Sequence, residues 1–395
     1  MTSTPAGPPL IFVVAGEPSG DAIGARLMAA LKRETGGAVR FAGIGGARMQ
    51  AEGLASLFPM SDLTLFGLAE VLPKIKVVKA RIAETVAAIR AARPDAVVTI
   101  DSPGFSFRVQ KQLGAGSTKR IHYVAPTVWA WRPGRARKIA QFLDRLLVLL
   151  PFEPPYFDAV GLPCDFVGHP VLEEGADRGD GAGFRARHDI PADAPLLVVL
   201  PGSRRSEIRA LLPVFADVLA RLRSRFPGLR AVIPTVETVA NDVKRAAAAW
   251  PVPALVVEGA AEKYGAFAAG TAAMAASGTV SLELAIARLP TVIAYRVHPI
   301  SAAVARRLLK VRYATLANII LDRAVIPEFI QDRCRADLIA ESVGTLLADP
   351  AARLSQVKEV SLALDQLGGD DPPPSRRAAR AVLAAIGRTV DGGAR

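Results

Sequence analysis

Residues Leu10–Ala15 read LIFVVA, an unbroken apolar run. A strand buried on both faces reads this way, whereas a half-exposed strand alternates. Gly16-Glu17-Pro18-Ser19-Gly20-Asp21 ends the run, and Ile23, Leu27 and Leu31 then recur at helical spacing. The unit is strand, glycine-rich turn, helix, and Ser19 or Asp21 is expected to cap the helix. Further strands are predicted at Val39–Ile44, Ala96–Ile100, Arg120–Val124 and Leu146–Leu150, with a basic helix over Arg135–Phe142. The pattern restarts after Gly168-His169-Pro170. Glu173–Gly183 is acidic and glycine-rich, as a linker or surface loop would be. A second series of strands is predicted at Leu196–Leu200, Leu229–Pro234, Leu255–Glu258, Thr271–Ala275 and Thr291–Tyr295. Between them, Ile208, Leu211, Leu212, Phe215, Leu219 and Leu222 form one helical stripe. From about Ala336 the chain reads as helix, broken at Asp349-Pro350 and at Asp370–Pro374.

Strands alternating with helices, twice over, predict two α/β domains with parallel sheets. The length agrees, since 395 residues exceed what one core holds, roughly 250–300 residues. Composition narrows the chemistry. The net charge of +12 attracts nucleic acid, anionic lipid or phosphorylated substrates. Only 6% of residues are aromatic and the basic residues are dispersed, so nucleic acid is not expected as a partner. Two cysteines and four scattered histidines make neither a disulfide framework nor a zinc centre, and no metal is expected. No apolar run approaches the ~20 residues of a membrane-spanning helix. Met1–Pro9 lacks the basic start of a signal peptide, so a cytoplasmic protein is expected.

In open α/β sheets ligands bind beyond the carboxyl ends of strands. Four strand ends carry unusual residues. Gly16–Gly20 is not a G-x-G-x-x-G fingerprint, and the second strand ends in Gly45-Gly46, with no acid for a nicotinamide ribose. Glu17 and Ser19 are read equally as binding or capping residues. Asp101 directly follows the strand AVVTI and is placed to deprotonate a hydroxyl, or else to accept N–H bonds from its Pro-Gly turn. Gly202, Ser203 and Arg204 open a helix, where free N–H groups and a guanidinium favour an anion. This is no Walker loop, which disfavours a kinase or ATPase. Ser277, Gly278 and Thr279 open another helix, with Glu283 one turn in. Phosphate on the N–H groups and ribose on Glu283 would fit a nucleoside diphosphate; N-capping by Ser277 or Thr279 is the plainer alternative. Glu258-Gly259 could receive the base. Finally, Phe66, Leu68, Val71, Leu72 and Ile75 mingle with Lys74, Lys76 and Lys79. That segment reads as a core-packed helix with a basic face or as a contact with an anionic membrane.

Several motifs in order carry a resemblance: AGEPSGDAIGARLMAALK (15–32), GIGGARMQAEGL (43–54), IHYVAPTVWAWR (121–132), LPFEPPYF (150–157), VGHPV (167–171), LPGSRRSEI (200–208), ASGTVSLE (276–283) and AYRV (294–297). Together they resemble the lipid-A-disaccharide synthases, inverting glycosyltransferases of the GT-B fold, over Leu10 to about Ala340. The resemblance implies two Rossmann-like domains facing across a cleft. Residues 1–170 would hold the acceptor, and 171–349 the UDP-sugar. Helices 350–395 would rejoin the first domain. It implies that UDP-2,3-diacylglucosamine donates its sugar to the 6-hydroxyl of 2,3-diacylglucosamine 1-phosphate (lipid X), releasing UDP without metal or other cofactor. Asp101 would be the base, and Glu17, Ser19 and Gly20 would face the acceptor. Gly202, Ser203, Arg204, Gly259, Ser277, Gly278, Thr279, Glu283, Asn318 and Gln331 would bind the donor. The family usually reads Asp-Ala-Pro-Asp-Phe where this chain has Asp101-Ser102-Pro103-Gly104-Phe105. The resemblance also implies a peripheral protein on the inner face of the inner membrane, and leaves room for a homodimer. A GT-B enzyme acting on non-acylated UDP-N-acetylglucosamine, or a basic membrane-binding module without turnover, remains as an alternative.

Overall fold

A computed structural model describes residues 7–63, 68–131, 134–297, 311–369 and 372–388, with side chains of the helix Leu68–Ala92 described from 76 onward. The chain divides into two compact units, one of residues 1–170 with 370–395 and one of 171–369. Each is built on a parallel sheet of six strands.

The first sheet contains β1 (Leu10–Ala15), β2 (Arg40–Ile44), β3 (Ala96–Ile100), β4 (Lys119–Tyr123), β5 (Arg145–Val148) and β6 (Cys164–Phe166), in the order β2-β1-β3-β4-β5-β6. Successive residues of β1 feed opposite faces. Ile11, Val13 and Ala15 pack with Leu27 and Leu31 of the helix Pro18–Glu34 and with Val382 and Leu383 of the helix Pro374–Ala385. Phe12 and Val14 pack with Ile82, Val86 and Ile89, the inward stripe of the helix Leu68–Ala92. The C-terminal helix is held further by Arg376 and Arg380, which reach the carboxylate of Glu34 at 2.5 and 2.9 Å.

The second sheet contains β7 (Leu196–Leu200), β8 (Arg230–Thr235), β9 (Ala254–Glu258), β10 (Ala272–Ala276), β11 (Thr291–Tyr295) and β12 (Glu328–Ile330), in the order β12-β11-β10-β7-β8-β9. That is the Rossmann order 3-2-1-4-5-6 read from the other edge. In both sheets the order of winding reverses between two parallel central strands that are almost wholly buried. Ala15 lies beside Ile100 at the β1/β3 junction, and Leu200 beside Ala275 at the β7/β10 junction. The turns that follow these four strands therefore meet in pairs, which is where such sheets receive ligands.

Three expectations need correction. Helix Pro350–Gln366 does not join the first unit. Val360 and Ala363 bury in one cluster with Leu284, Leu289 and Ile293 of the second. Gln356 also exchanges hydrogen bonds of 2.6 and 3.1 Å with the backbone of Thr291. Only the helix after the break at 370–374 returns. Residues 173–183 are not an open linker: the helix Gly181–Arg187 begins there, with Asp180 accepting the N–H of Gly183 at 2.8 Å. The glycines serve close packing, since a Cβ on Gly179 would come within 2.0 Å of the Tyr264 carbonyl oxygen. Third, Asp21 caps a helix other than its own. Its carboxylate accepts N–H bonds from Gly46, Arg48 and Met49 at the start of the helix Ala47–Ala51, at 2.8–3.1 Å. The helix Pro18–Glu34 has Glu17 at its N-cap position and no side-chain cap from Ser19.

Candidate functional site

The β1/β3 junction of the first unit collects carboxylates. Asp101 and Ser102 both adopt left-handed backbone, with φ of 48° and 43°. Such residues cost about 1–3 kcal/mol each and persist only where neighbours fix them. Here the N–H of Asp101 donates to the Tyr123 carbonyl at 2.9 Å, and the Ser106 hydroxyl donates to the Asp101 carbonyl at 2.7 Å. The carbonyl of Ser102 accepts the N–H groups of Phe105 and Ser106 at 3.0 Å, starting the helix Pro103–Leu113. Ser102 Oγ donates to Glu17 Oε1 at 3.0 Å. Burial raises the pKa of Asp101, the negative charge of Glu17 raises it further, and the Ser102 N–H opposes them in part. A half-buried carboxylate of raised basicity suits proton abstraction. Ser19 is exposed, while Gly20 is buried against the strand ends.

Farther along the same sheet edge, Glu153 is 2% exposed. It accepts N–H bonds from Leu149 (3.1 Å), Leu150 (2.9 Å) and the Trp129 indole (3.2 Å). It thereby ties the VWAWR and LPFEP segments to one another. Burial pushes its carboxyl up to about 7, against those donors.

The β7/β10 junction of the second unit opens into a cavity of about 910 Å³, near the upper end for small-molecule sites. Gly202, Ser203, Arg204, Gly259, Ser277, Gly278, Thr279 and Glu283 all line it, as the sequence suggests. The turn geometry explains the glycines. Gly202 has φ of 110°, and a Cβ there would lie 2.4 Å from Glu207 Oε2. Glu207, unassigned from sequence, accepts the N–H groups of Ser203 and Arg204 at 3.1 and 3.3 Å and pairs with Arg204 Nη1 at 2.9 Å. The Arg204 side chain is otherwise 76% exposed. At the second turn neither Ser277 nor Thr279 caps the helix Val280–Ile286; Ser277 Oγ donates instead to the Ala314 carbonyl at 3.2 Å.

Lys263 also enters the cavity, from the helix Ala260–Ala269. Its Nζ lies 2.6 Å from Glu283 Oε2 and 4.6 Å from the Tyr264 ring centre. Burial works against its charge, but the Glu283 carboxylate outweighs burial and holds the ammonium above its usual range. Lys263 was missed because a lone lysine in AAEKY looks like a solvated helix residue. Its position one turn after Gly259, at a strand end, was the available signal.

Two assigned residues lie elsewhere. Asn318 is wholly buried and its amide is saturated. Nδ2 donates to the Ile326 carbonyl and Glu328 Oε1, and Oδ1 accepts from Val325 and Ile326, all at 2.8–2.9 Å. Glu328 in turn accepts the N–H groups of Ala314 and Thr315. Asn318 therefore orders the segment on which Ser277 leans and does not itself reach the cavity. Gln331, with φ of 54°, sets its amide against the Val297 backbone; assigned with nitrogen toward the carbonyl, it makes two 3.2 Å bonds. It too is absent from the cavity wall. Of the proposed membrane contacts, Phe66 lies outside the described residues, as do the side chains of Leu68, Val71, Leu72, Lys74 and Ile75. Lys76, Val77 and Lys79 are exposed, whereas Ile82 and beyond pack into the core. No described helix is long and apolar enough to cross a membrane.

Comparison with known proteins agrees with this architecture. The structure is similar to the S. aureus MnaA-UDP co-structure, with a TM-score of 0.64 at 12% identity, covering 96% of this chain and 97% of that one. It is also similar to Acinetobacter baumannii MurG, with a TM-score of 0.54 at 14% identity, covering 96% of this chain and 99% of that one. At such identities the likeness establishes the fold, that of GT-B glycosyltransferases, and leaves the substrate open. Sequence relatives are far nearer. The lipid-A-disaccharide synthase of Rhodospirillum centenum is 58% identical over 97% of this chain and 96% of its own length. That of Paramagnetospirillum magneticum is 54% identical over 95% and 97%. The family model for lipid-A-disaccharide synthetase matches residues 11–369, and the chain belongs to that family.

Proposed function

We propose that this chain is a hexosyltransferase that joins UDP-2,3-diacylglucosamine to 2,3-diacylglucosamine 1-phosphate, giving the β-1,6-linked disaccharide 1-phosphate of lipid A and UDP. The observation that carries the site assignment is the paired chemistry of the two junctions. One offers a base, and the other a cavity with amide ends and cations. UDP fits the 910 Å³ cavity, with its diphosphate at the Ser277–Thr279 turn near Arg204 and Lys263 and its ribose hydroxyls toward Glu283. Glu258 and Gly259 stand at the strand end left for the base.

The acceptor belongs to the first unit, beside Glu17, Ser19 and Gly20. Asp101 takes the proton of the 6-hydroxyl as the oxygen attacks the anomeric carbon. The new C–O bond forms as the bond to the diphosphate oxygen breaks, on the opposite face of the sugar. UDP leaves with that electron pair, and the amide N–H groups and cations of the cavity stabilise its growing charge. Single displacement inverts the configuration.

The exposure of Lys76, Val77 and Lys79 supports contact with an anionic membrane, each cation adding about 1 kcal/mol near the lipid. The enzyme would then draw acylated substrates from the inner face of the inner membrane, where every buried CH₂ adds about 0.8 kcal/mol.

The test is mass spectrometry of the product formed by purified protein from the two acylated substrates. The disaccharide monophosphate is the expected product. Turnover of UDP-N-acetylglucosamine with no coupling of the acylated pair would overturn the assignment.

A further inference from the structure

We infer that Ser102 is a positioning residue for the base: its hydroxyl holds Glu17 beside Asp101 so that the two carboxylates act on one another. The inference rests on Asp101 as the base and adds a residue to which the reaction assigns no role.

Geometry carries it. The left-handed backbone at Asp101 and Ser102 turns the serine side chain back across the sheet end toward the β1 turn. Its Oγ meets Glu17 Oε1 at 3.0 Å. The crossing needs room, and Gly16 supplies it, since a Cβ there would lie 2.9 Å from Ser102 Oγ. Left-handed serine next to left-handed aspartate is unfavourable, and the backbone bonds of Tyr123, Phe105 and Ser106 hold the pair in place.

Glu17 lies on an exposed turn and would otherwise sample many rotamers in water. The hydrogen bond from the hydroxyl restricts those rotamers and keeps the carboxylate on the Asp101 side of the turn. Of the elements around Asp101, the β1 turn presents Glu17, β4 presents the Tyr123 backbone, and the helix Pro103–Leu113 presents Ser106. Among the described residues, Glu17 is the charge that acts on Asp101. A like charge disfavours ionisation of its neighbour. A base held in this way is stronger and accepts the acceptor's proton with more driving force.

The experiment measures kcat/KM against pH for wild type, Ser102→Ala and Ser102→Gly. The profile reports the ionisations of the free enzyme. A ¹³C NMR titration of the aspartate carboxyls in the ligand-free protein is made alongside. Both variants lack the hydroxyl, but glycine adopts the left-handed backbone without strain. Both are expected to move the acid limb, and the Asp101 titration, to lower pH by roughly 0.3–1 unit, the size of one partly screened charge. An unmoved limb in both, whatever the rate, would overturn the inference, because a purely structural role changes rate without changing the limb. A shift in Ser102→Ala that Ser102→Gly abolishes would also overturn it, by tracing the effect to the backbone. Asp101→Asn separates the two layers. Full turnover in that variant removes Asp101 as base, whereas its loss together with an unmoved Ser102 limb removes only the role of Ser102.

Discussion

The two junctions share a plan and differ in how they treat charge. At β1/β3, Asp101 and Glu17 stand near each other, and among the described residues neither forms an ion pair. At β7/β10, Glu207 and Glu283 are each matched, to Arg204 at 2.9 Å and to Lys263 at 2.6 Å. Uncompensated carboxylates hold protons more tightly and become bases. Compensated ones leave cations positioned for an incoming anion, which can replace the carboxylate as partner. Under the proposed function, one architecture serves proton transfer in one unit and diphosphate capture in the other, and the difference is the presence or absence of a cation at each strand end.

The largest expected effect comes from removing the uncompensated charge. Asp101→Asn should lower turnover by about 10²-fold or more while UDP binding, followed by calorimetry, stays at the wild-type level. Turnover near wild type in a folded variant would break the comparison at its first side. On the other side, Lys263→Ala or Arg204→Ala should weaken UDP binding roughly 10-fold or more, as expected for a charge-assisted contact of about 1.5–3 kcal/mol. Their turnover at saturating donor should fall less than that of Asp101→Asn. Unchanged UDP affinity in both would return these cations to a purely structural pairing with their glutamates.

The smallest effect concerns Glu153, a third carboxylate without a cation. Its folded pKa of about 7 lies above the ordinary value of 4.5, so the folded state holds the proton more tightly than the unfolded chain. The sign follows: the contribution of Glu153 to stability is fully present below about 4.5 and is lost as pH rises through about 7. Thermal unfolding of wild type and Glu153→Gln between pH 5 and 8 should show wild type losing ground to the variant as pH rises. A difference independent of pH would mean that the group titrates normally.

Much of the scaffold can be read from the chain because its central strands are buried on both faces. LIFVVA and LLVVL have no polar interruption and AVVTI has only Thr99, and their boundaries match β1, β3 and β7. The edge strands Cys164–Phe166 and Glu328–Ile330 escape notice, being three residues long with little apolar pattern. The cavity turns were legible for the same reason as the strands, since glycines and hydroxyls at strand ends have few other uses. What the pattern could not reveal is contact between distant segments. Asp21 reads as a cap for its own helix, yet caps another through a fold-dependent approach. Asn318 reads as a ligand group, yet every polar atom of its amide is spent on residues 325–328. Lys263 takes its meaning from Glu283, which only the packing brings near, whereas Glu207 pairs locally with the Ser203–Arg204 turn.

The return of the last helix to the first unit has a consequence for biogenesis. Ala378, Ala379, Val382 and Leu383 complete a core begun by Ile11 and Val13, and Glu34 waits for Arg376 and Arg380. On the ribosome the core of the first unit therefore stays unfinished until residues 374–385 have emerged, while residues 171–369 can close on their own contacts first. A nonsense codon just ahead of the helix Pro374–Ala385 would strike the core begun by Ile11 and Val13 rather than the segment made just before it.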